Sequence, residues 1–269
     1  MCSFHLKELK YDLNLAETGR KVYYTQNGFH TNFFREVASG TMPTILLIRH
    51  GQSQANAGLP TSCPKEIELT DRGQKEAEFV ARELQKSYPA LDVMITSAYR
   101  RASQTAEWTL WLFKNTSNRD IPTEIWPVHE FTYLSSWERR NSTVEDRRSV
   151  VRAYWERADP AYVDGPESES FEQFIARVRK VKMRLDNTMY DTVAVFSHHQ
   201  FMCALLWLAE QDSLQMGEQA MRAFKAFLEA HPISNGAIVR VQFETGGERW
   251  RYELLTSHID VKDTGIGPG

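Results

Sequence analysis

The 269 residues correspond to about two average domains, or one large α/β domain, at roughly 150 residues each. The composition is 42% apolar and 25% charged, and 32 basic against 35 acidic side chains leave a formal net charge of -3. That balance excludes a global electrostatic attraction to nucleic acid or an anionic membrane, and no stretch approaches the about 18 apolar residues of a membrane span.

The opening MCSFHLKELKYDLNLAETGR mixes charge and apolarity too closely for a secretory signal. Cys2, Cys63 and Cys203 are odd in number and too far apart for metal-ligand pairs, so a reducing, cytoplasmic setting is expected. Residues 1–43, with a Gln26-Asn27-Gly28-Phe29 turn suited to a hairpin, are expected to form an N-terminal extension, either a loose arm or a flap.

After Pro43, Ile45, Leu46, Leu47 and Ile48 form a continuous apolar run, the pattern of a strand buried on both faces, ending in Arg49-His50-Gly51. Thr70 is placed to cap a helix whose Ala77, Val80, Ala81 and Leu84 recur every three or four residues. A second short strand, Val93-Met94-Ile95, runs into Thr96-Ser97, and a helix from near Arg101 carries Ala102, Ala106 and Leu110. Strand, loop, helix repeats, and in doubly wound sheets binding groups gather where strands end.

From about 114 to 168 the periodicity weakens. Trp126, Phe131, Tyr133, Trp137, Tyr154 and Trp155 mix there with Arg139, Arg140, Arg147, Arg148 and Arg152, which predicts a cap inserted over the sheet ends. Order returns with a helical stripe from Phe171 to Met189, a buried strand Thr192–Phe196 ending in Ser197-His198-His199, and helices carrying Met202 to Leu208 and about Leu214 to Ala230. Asn235-Gly236 turns the chain into AIVRVQF, Gly246-Gly247 separates that run from RWRYELL to give a terminal hairpin, and residues 259–269 form a tail. The expectation is an α/β fold: a three-layer α/β/α sandwich with a mixed, mostly parallel sheet, spanning residues 44–258 with the cap inserted.

Two buried-strand patterns therefore end in histidine, His50 and His198, and together with arginines they suggest a pocket. Neutral imidazole is nucleophilic toward phosphorus, and guanidinium forks match phosphoryl oxygens, so the pattern points to an oxyanion such as a phosphate monoester.

These strings resemble the histidine phosphatase superfamily, the group that includes cofactor-dependent phosphoglycerate mutases and the bisphosphatase half of the bifunctional fructose enzymes. The motif Arg-His-Gly-x-Ser-x-x-Asn appears as Arg49-His50-Gly51-Gln52-Ser53-Gln54-Ala55-Asn56, and Leu-Thr-x-x-Gly as Leu69-Thr70-Asp71-Arg72-Gly73. A third motif appears as Ser97-Ala98-Tyr99-Arg100-Arg101-Ala102-Ser103-Gln104-Thr105-Ala106; Glu169-Ser170 with Arg177, and Ser197-His198, follow in order. The resemblance implies that His50 becomes phosphohistidine, that Arg49, Arg101 and His198 clamp phosphate, and that the Gly51 carbonyl orients the imidazole. It implies Glu130 as general acid. Asn56, and more weakly Ser53, would contact the transferring group.

Three residues depart from the family pattern. His199 stands where glycine is usual and would narrow the pocket, add an acid-base group, contact substrate or point into the scaffold, Ala98 replaces proline, and Glu76 replaces a helix glutamine without evident consequence. Tyr133, Arg147 and Arg148 resemble substrate contacts of the mutases, but the spacing and surrounding cap do not match cleanly. The expected function is hydrolysis of a small organic phosphate monoester without metal or other cofactor. The alternatives are a phosphoglycerate-type mutase and a noncatalytic phosphate-binding scaffold. Neither nucleic acid nor membrane is expected as a partner, and the oligomeric state, homodimer included, is left open.

Overall fold

The computed structural model describes residues 43–211, 213–243 and 250–255. The expected N-terminal arm or flap, apart from Pro43, and the Gly246-Gly247 turn and 259–269 tail, lie outside the described residues. Six strands form one sheet: β1 (Thr44–Arg49), β2 (Val93–Thr96), β3 (Thr123–Ile125), β4 (Thr192–Ser197), β5 (Ile238–Phe243) and β6 (Trp250–Leu255). They lie in the order β3-β2-β4-β1-β5-β6. β1, β2, β3 and β4 run parallel, while β5 and β6 are antiparallel additions at one edge.

The apolar run Ile45-Leu46-Leu47-Ile48 is fully buried, because helices cover both faces of the sheet. Leu46 and Ile48 pack with Val80 and Leu84 of α1 (Asp71–Ser87) and with Ala106 and Phe113 of α2 (Arg100–Ser117). Ile45 and Leu47 face the opposite cluster. It holds Phe174 and Val178 of α4 (Phe171–Asp186), Phe201 and Leu205 of α5 (His199–Ala209), and Phe224 of α6 (Glu218–Ala230). The period-two alternation of one strand thus feeds two cores, and the result is a three-layer α/β/α sandwich.

Local chemistry sets the helix starts. Thr70 caps α1 by accepting the Gly73 N–H, and Ser170 opens α4 with a reciprocal capping box to Gln173. In the stretch read as cap, α2 runs on to Ser117 and β3 joins the sheet beside β2. With only three residues and two of them exposed, β3 has no apolar alternation by which its sequence announces a strand. The chain from Trp126 to Ser170 then forms the cap, including α3 (Arg148–Arg157).

The start of α1 presses on the loop after β1. A Cβ on Gly73 would run into the Gln52 carbonyl oxygen, and one on Gly51 into the Gly73 carbonyl. Both obstacles are backbone, so neither yields by a rotamer change. Gly73→Ala is therefore expected to lower the unfolding free energy by about 1–3 kcal/mol, as over-packing does, measured by chemical denaturation; unchanged stability would mean that the contact is not tight.

Candidate active site

β1, β2 and β4 are parallel neighbours, so their carboxyl ends bring Arg49-His50, Ser97 and Ser197-His198 to the same side of the sheet. The backbone ties them: His50 N–H donates to the Ser197 carbonyl and Ser97 N–H to the Phe196 carbonyl, each at 3.1 Å. His50 and His198 end with ring centroids 5.0 Å apart.

His50 Nδ1 lies 2.7 Å from the Gly51 carbonyl oxygen. A carbonyl only accepts, so the ring proton sits on Nδ1 and Nε2 carries a lone pair. Arg101 Nε donates to that Nε2 at 3.0 Å, while its Nη1 donates to the Pro64 carbonyl at 2.7 Å. Burial, and then the Arg101 and Arg49 guanidinium groups, hold the His50 imidazole well below its ordinary range, so it is neutral at pH 7. His198 is held down in the same direction, by burial first and then by Arg101. Arg101 is itself lowered by burial, to about 10, and stays cationic at neutral pH.

His198 Nε2 lies 2.9 Å from Ser97 Oγ, which also accepts the Tyr99 N–H at 3.1 Å. The Ser97 hydroxyl has one proton to give and a second lone pair to accept with, so the direction of this bond follows the imidazole tautomer, the ring proton sitting on Nδ1 when the hydroxyl donates to Nε2. That Nδ1 is buried without a hydrogen-bond partner, and so is Arg49 Nε. Unmatched buried donors are costly. With the His198 proton on Nδ1, both atoms are donors beside His50 Nε2, and an anion's oxygens would satisfy them.

Asn56 Oδ1 is fully engaged, accepting from Ser53 N–H (3.2 Å), Ser53 Oγ (2.9 Å) and Asn235 Nδ2 (3.1 Å). Its amide hydrogens remain to be given, whereas the Ser53 hydroxyl is spent on Asn56. Glu130 Oε1 accepts the N–H groups of Phe131 (3.1 Å) and Gln200 (3.0 Å). Arg177 braces the loop that carries Glu130: Nη1 donates to the carbonyls of Pro127 and His129, each at 2.9 Å, and Nη2 meets Glu169 at 2.5 Å.

A cavity of about 280 Å³ opens beside Arg101 and Glu130, walled by Ile67, Tyr133, Leu134, Val144, Arg139 and Arg147 among others. Tyr133 and Arg147 are thus brought to the site. Arg148 is not: it is exposed and pairs with Glu145 at 2.5 Å. Neighbouring residues at a helix start point about 100° apart, so one cavity does not receive both arginines. His199 does not line this cavity, and neither do Arg49, His50 and His198; its Nε2 lies 3.3 Å from the His231 carbonyl, and the Glu130 and Arg49 charges both act on it.

Sequence reasoning missed Arg139, Gln200 and Tyr99 as cavity residues. It also gave no weight to Glu76, which is 3% exposed and receives the Gln52 N–H at 2.6 Å. Arg139 is matched within the protein, lying 2.7 Å from Asp164, whereas cavity-lining Arg147 has no carboxylate in salt-bridge range among the described residues. Among the described residues no cluster of His, Cys, Asp and Glu is arranged to hold a metal ion, and no helix is long and apolar enough to cross a membrane.

Residues 45–256 match the family model of the histidine phosphatase superfamily (branch 1). The adenosylcobalamin/alpha-ribazole phosphatase of Salmonella typhimurium is 29% identical over 147 residues, covering 53% of this chain and 66% of the relative, just under two thirds. A 2,3-bisphosphoglycerate-dependent phosphoglycerate mutase of Staphylococcus aureus is 24% identical over 237 residues, covering 82% and 98%. The crystal structure of the alpha-ribazole phosphatase from Shigella flexneri superposes with a TM-score of 0.58 at 22% identity, covering 80% of this chain and 96% of that one, and shares the fold.

Proposed function

The chain belongs to branch 1 of the histidine phosphatase superfamily, and from that premise we propose that it hydrolyses a small organic phosphate monoester through a phosphohistidine on His50. The observation that carries the reading is the paired arrangement of His50 Nε2, with its proton held on the other nitrogen, and buried cationic and neutral donors around it.

In the first half-reaction the Nε2 lone pair attacks phosphorus. The N–P bond forms as the ester P–O bond breaks, and the leaving oxygen takes a proton from the Glu130 carboxyl. Arg101 turns from His50 to the phosphoryl oxygens, joined by Arg49, His198 Nδ1 and the Asn56 amide. Fixed donors of this kind contribute about 3–4 kcal/mol each to a developing oxyanion. In the second half-reaction water gives a proton to the Glu130 carboxylate as its oxygen attacks phosphorus. The N–P bond breaks, inorganic phosphate leaves, and both His50 and Glu130 return to their starting states. The cationic side chains supply the charge stabilisation for which a divalent ion would otherwise serve, so the reaction is expected to proceed without added metal.

Ile67, Leu134, Val144 and Val151 make much of the cavity wall apolar, and Arg147 adds a cation with no salt bridge among the described residues. This favours an ester whose alcohol has an apolar body and one further anionic group. The outward position of Arg148 leaves one arginine where two would be needed for the mutase-like set, which favours hydrolysis over phosphoglycerate transfer.

The test is phosphate release without added metal from sugar phosphates, nucleotides, aromatic phosphates and 3-phosphoglycerate, for wild type and Glu130→Gln. Turnover is expected in wild type with a preference among the esters. Glu130→Gln is expected to slow esters of poorly leaving alcohols by about 10²-fold or more, and nitrophenyl phosphate much less, because nitrophenolate leaves without a proton. Equal losses on both esters would remove Glu130 as the acid, and absence of release from every ester would overturn hydrolysis.

A further inference from the structure

Glu76 is a carboxylate buried on α1 directly beneath the loop that follows β1. Its Oε2 accepts the Gln52 N–H at 2.6 Å, and its Oε1 meets Arg72 Nε at 2.9 Å. The Gln52 N–H and the Gly51 carbonyl belong to one planar peptide group. The carbonyl end of that same group accepts the His50 Nδ1 proton at 2.7 Å. A negative charge and an imidazole therefore sit at opposite ends of a single amide dipole.

A carboxylate on the N–H end draws the amide's polarisation toward its oxygen, which makes that oxygen a stronger acceptor. The amide is also unable to turn. Gly51 N–H donates to Thr105 Oγ1 at 3.1 Å, Thr70 N–H donates to the Gln52 carbonyl at 2.9 Å, and the first turn of α1 closes on Gly51 and Gln52 from below.

We infer that Glu76 is a positioning residue that acts through the Gly51–Gln52 peptide to hold the His50 proton on Nδ1 and to raise the electron density at Nε2. The inference rests on the reading of His50 as the nucleophile. It extends the carboxylate–histidine pairing of hydrolytic triads by one interposed amide.

The groups facing His50 from the other elements are Arg49 at the end of β1, Arg101 on α2, His198 after β4 and, acting on both arginines, Glu130 on the cap loop. The two arginines weaken the imidazole as a nucleophile. Glu76 opposes them from α1, through the Gly51–Gln52 peptide. Glutamine at this position would still accept the Gln52 N–H, so the added property of glutamate is its charge.

Charge acting on the nucleophile has a signature that a loss of packing lacks. A less electron-rich Nε2 attacks phosphorus more slowly, but once phosphorylated it is the better leaving group. Rapid-quench measurement on the full chain with nitrophenyl phosphate separates the two steps, as the nitrophenolate burst and as the decay of phosphohistidine. Glu76→Gln is expected to slow the burst by about tenfold, the scale seen when a histidine loses the group behind it. Decay of phosphohistidine should be unchanged or faster. Glu76→Asp, which keeps the charge at a longer reach, should fall between the two and serves if Glu76→Gln does not fold.

A burst in Glu76→Gln as fast as wild type overturns the inference, and so does equal slowing of both steps, which would make Glu76 a packing residue. Wild type with a normal turnover but no phosphohistidine would instead remove the reading of His50 on which it stands.

Discussion

Replacing His50 by alanine is expected to abolish phosphohistidine and to reduce phosphate release by about 10⁴-fold or more, the scale on which covalent catalysis fails when the nucleophile is removed. The remaining donors, Arg49, Arg101 and His198, would still receive a phosphate, so competitive inhibition by inorganic phosphate or vanadate should survive in H50A. The contrast between retained binding and lost turnover separates His50 as nucleophile from His50 as a binding contact. The pH dependence follows from the same geometry. Burial and two guanidinium groups hold the imidazole well below its ordinary value. His50 therefore stays unprotonated, and able to attack, into mildly acidic solution, and activity falls only as the pH drops through that lowered value. Turnover in H50A comparable to wild type, measured on the preferred ester, would end the phosphohistidine reading.

Arg101→Ala is expected to cost about 10²–10³-fold in kcat/KM, the effect of deleting one well-aimed oxyanion donor. Arg101 is 6% exposed, anchored through Nη1 to the Pro64 carbonyl and bonded through Nε to His50 Nε2, so its head already lies beside the nucleophile before any ligand arrives. Lysine would keep the charge but not the planar fork, and Arg101→Lys should recover only part of the loss. Removing the guanidinium also removes a cation that depresses the His50 pKa. The sign is therefore definite: the acidic limb of the kcat/KM profile should move to higher pH in Arg101→Ala. A loss of rate with an unmoved limb would place Arg101 on the substrate alone, and a rate within a few-fold of wild type would remove it from the clamp.

The adjacent Arg100 illustrates why the motif had to be read with its register. It lies one residue away but is exposed and paired to Glu68 at 2.6 Å, on the outer surface of α2. The resemblance of Ser97 to Ala106 to the family motif assigns the role to Arg101, and Ala102, Ala106 and Leu110, the inward stripe of that helix, agree with it. The same reasoning was open to Arg147 and Arg148 but lacked a stripe to anchor it, since α3 is short and only Tyr154 and Trp155 of it are buried.

The cap resisted reading for a related reason. Its core is aromatic rather than periodic: Phe131 stacks on Phe174 at 4.3 Å, and Tyr133 and Tyr154 approach to 4.6 Å. Such contacts are made across loops and between elements, and they leave no 2.0 or 3.6 repeat in the chain. Nor did composition separate Arg139 from Arg147, although Asp164 neutralises the first and no described carboxylate pairs with the second.

What the sequence by itself determined is therefore local or periodic. Two fully apolar runs ending in histidine, helical stripes that begin after capping residues, and a glycine beside each close approach specify the sandwich and bring His50 and His198 to one end of it. Each of these signals spans a few residues and follows from backbone geometry. Tertiary structure alone decided which polar group faces which: Asn56 drawing in the Ser53 hydroxyl and the Asn235 amide, Arg177 gripping the Glu130 loop 47 residues away, and Glu76 reaching the peptide beside His50 from 24 residues on. Those pairings depend on separations across the fold of a few ångströms, and a hydrogen bond between residues so distant in the chain leaves no pattern in it until the sheet has brought them together.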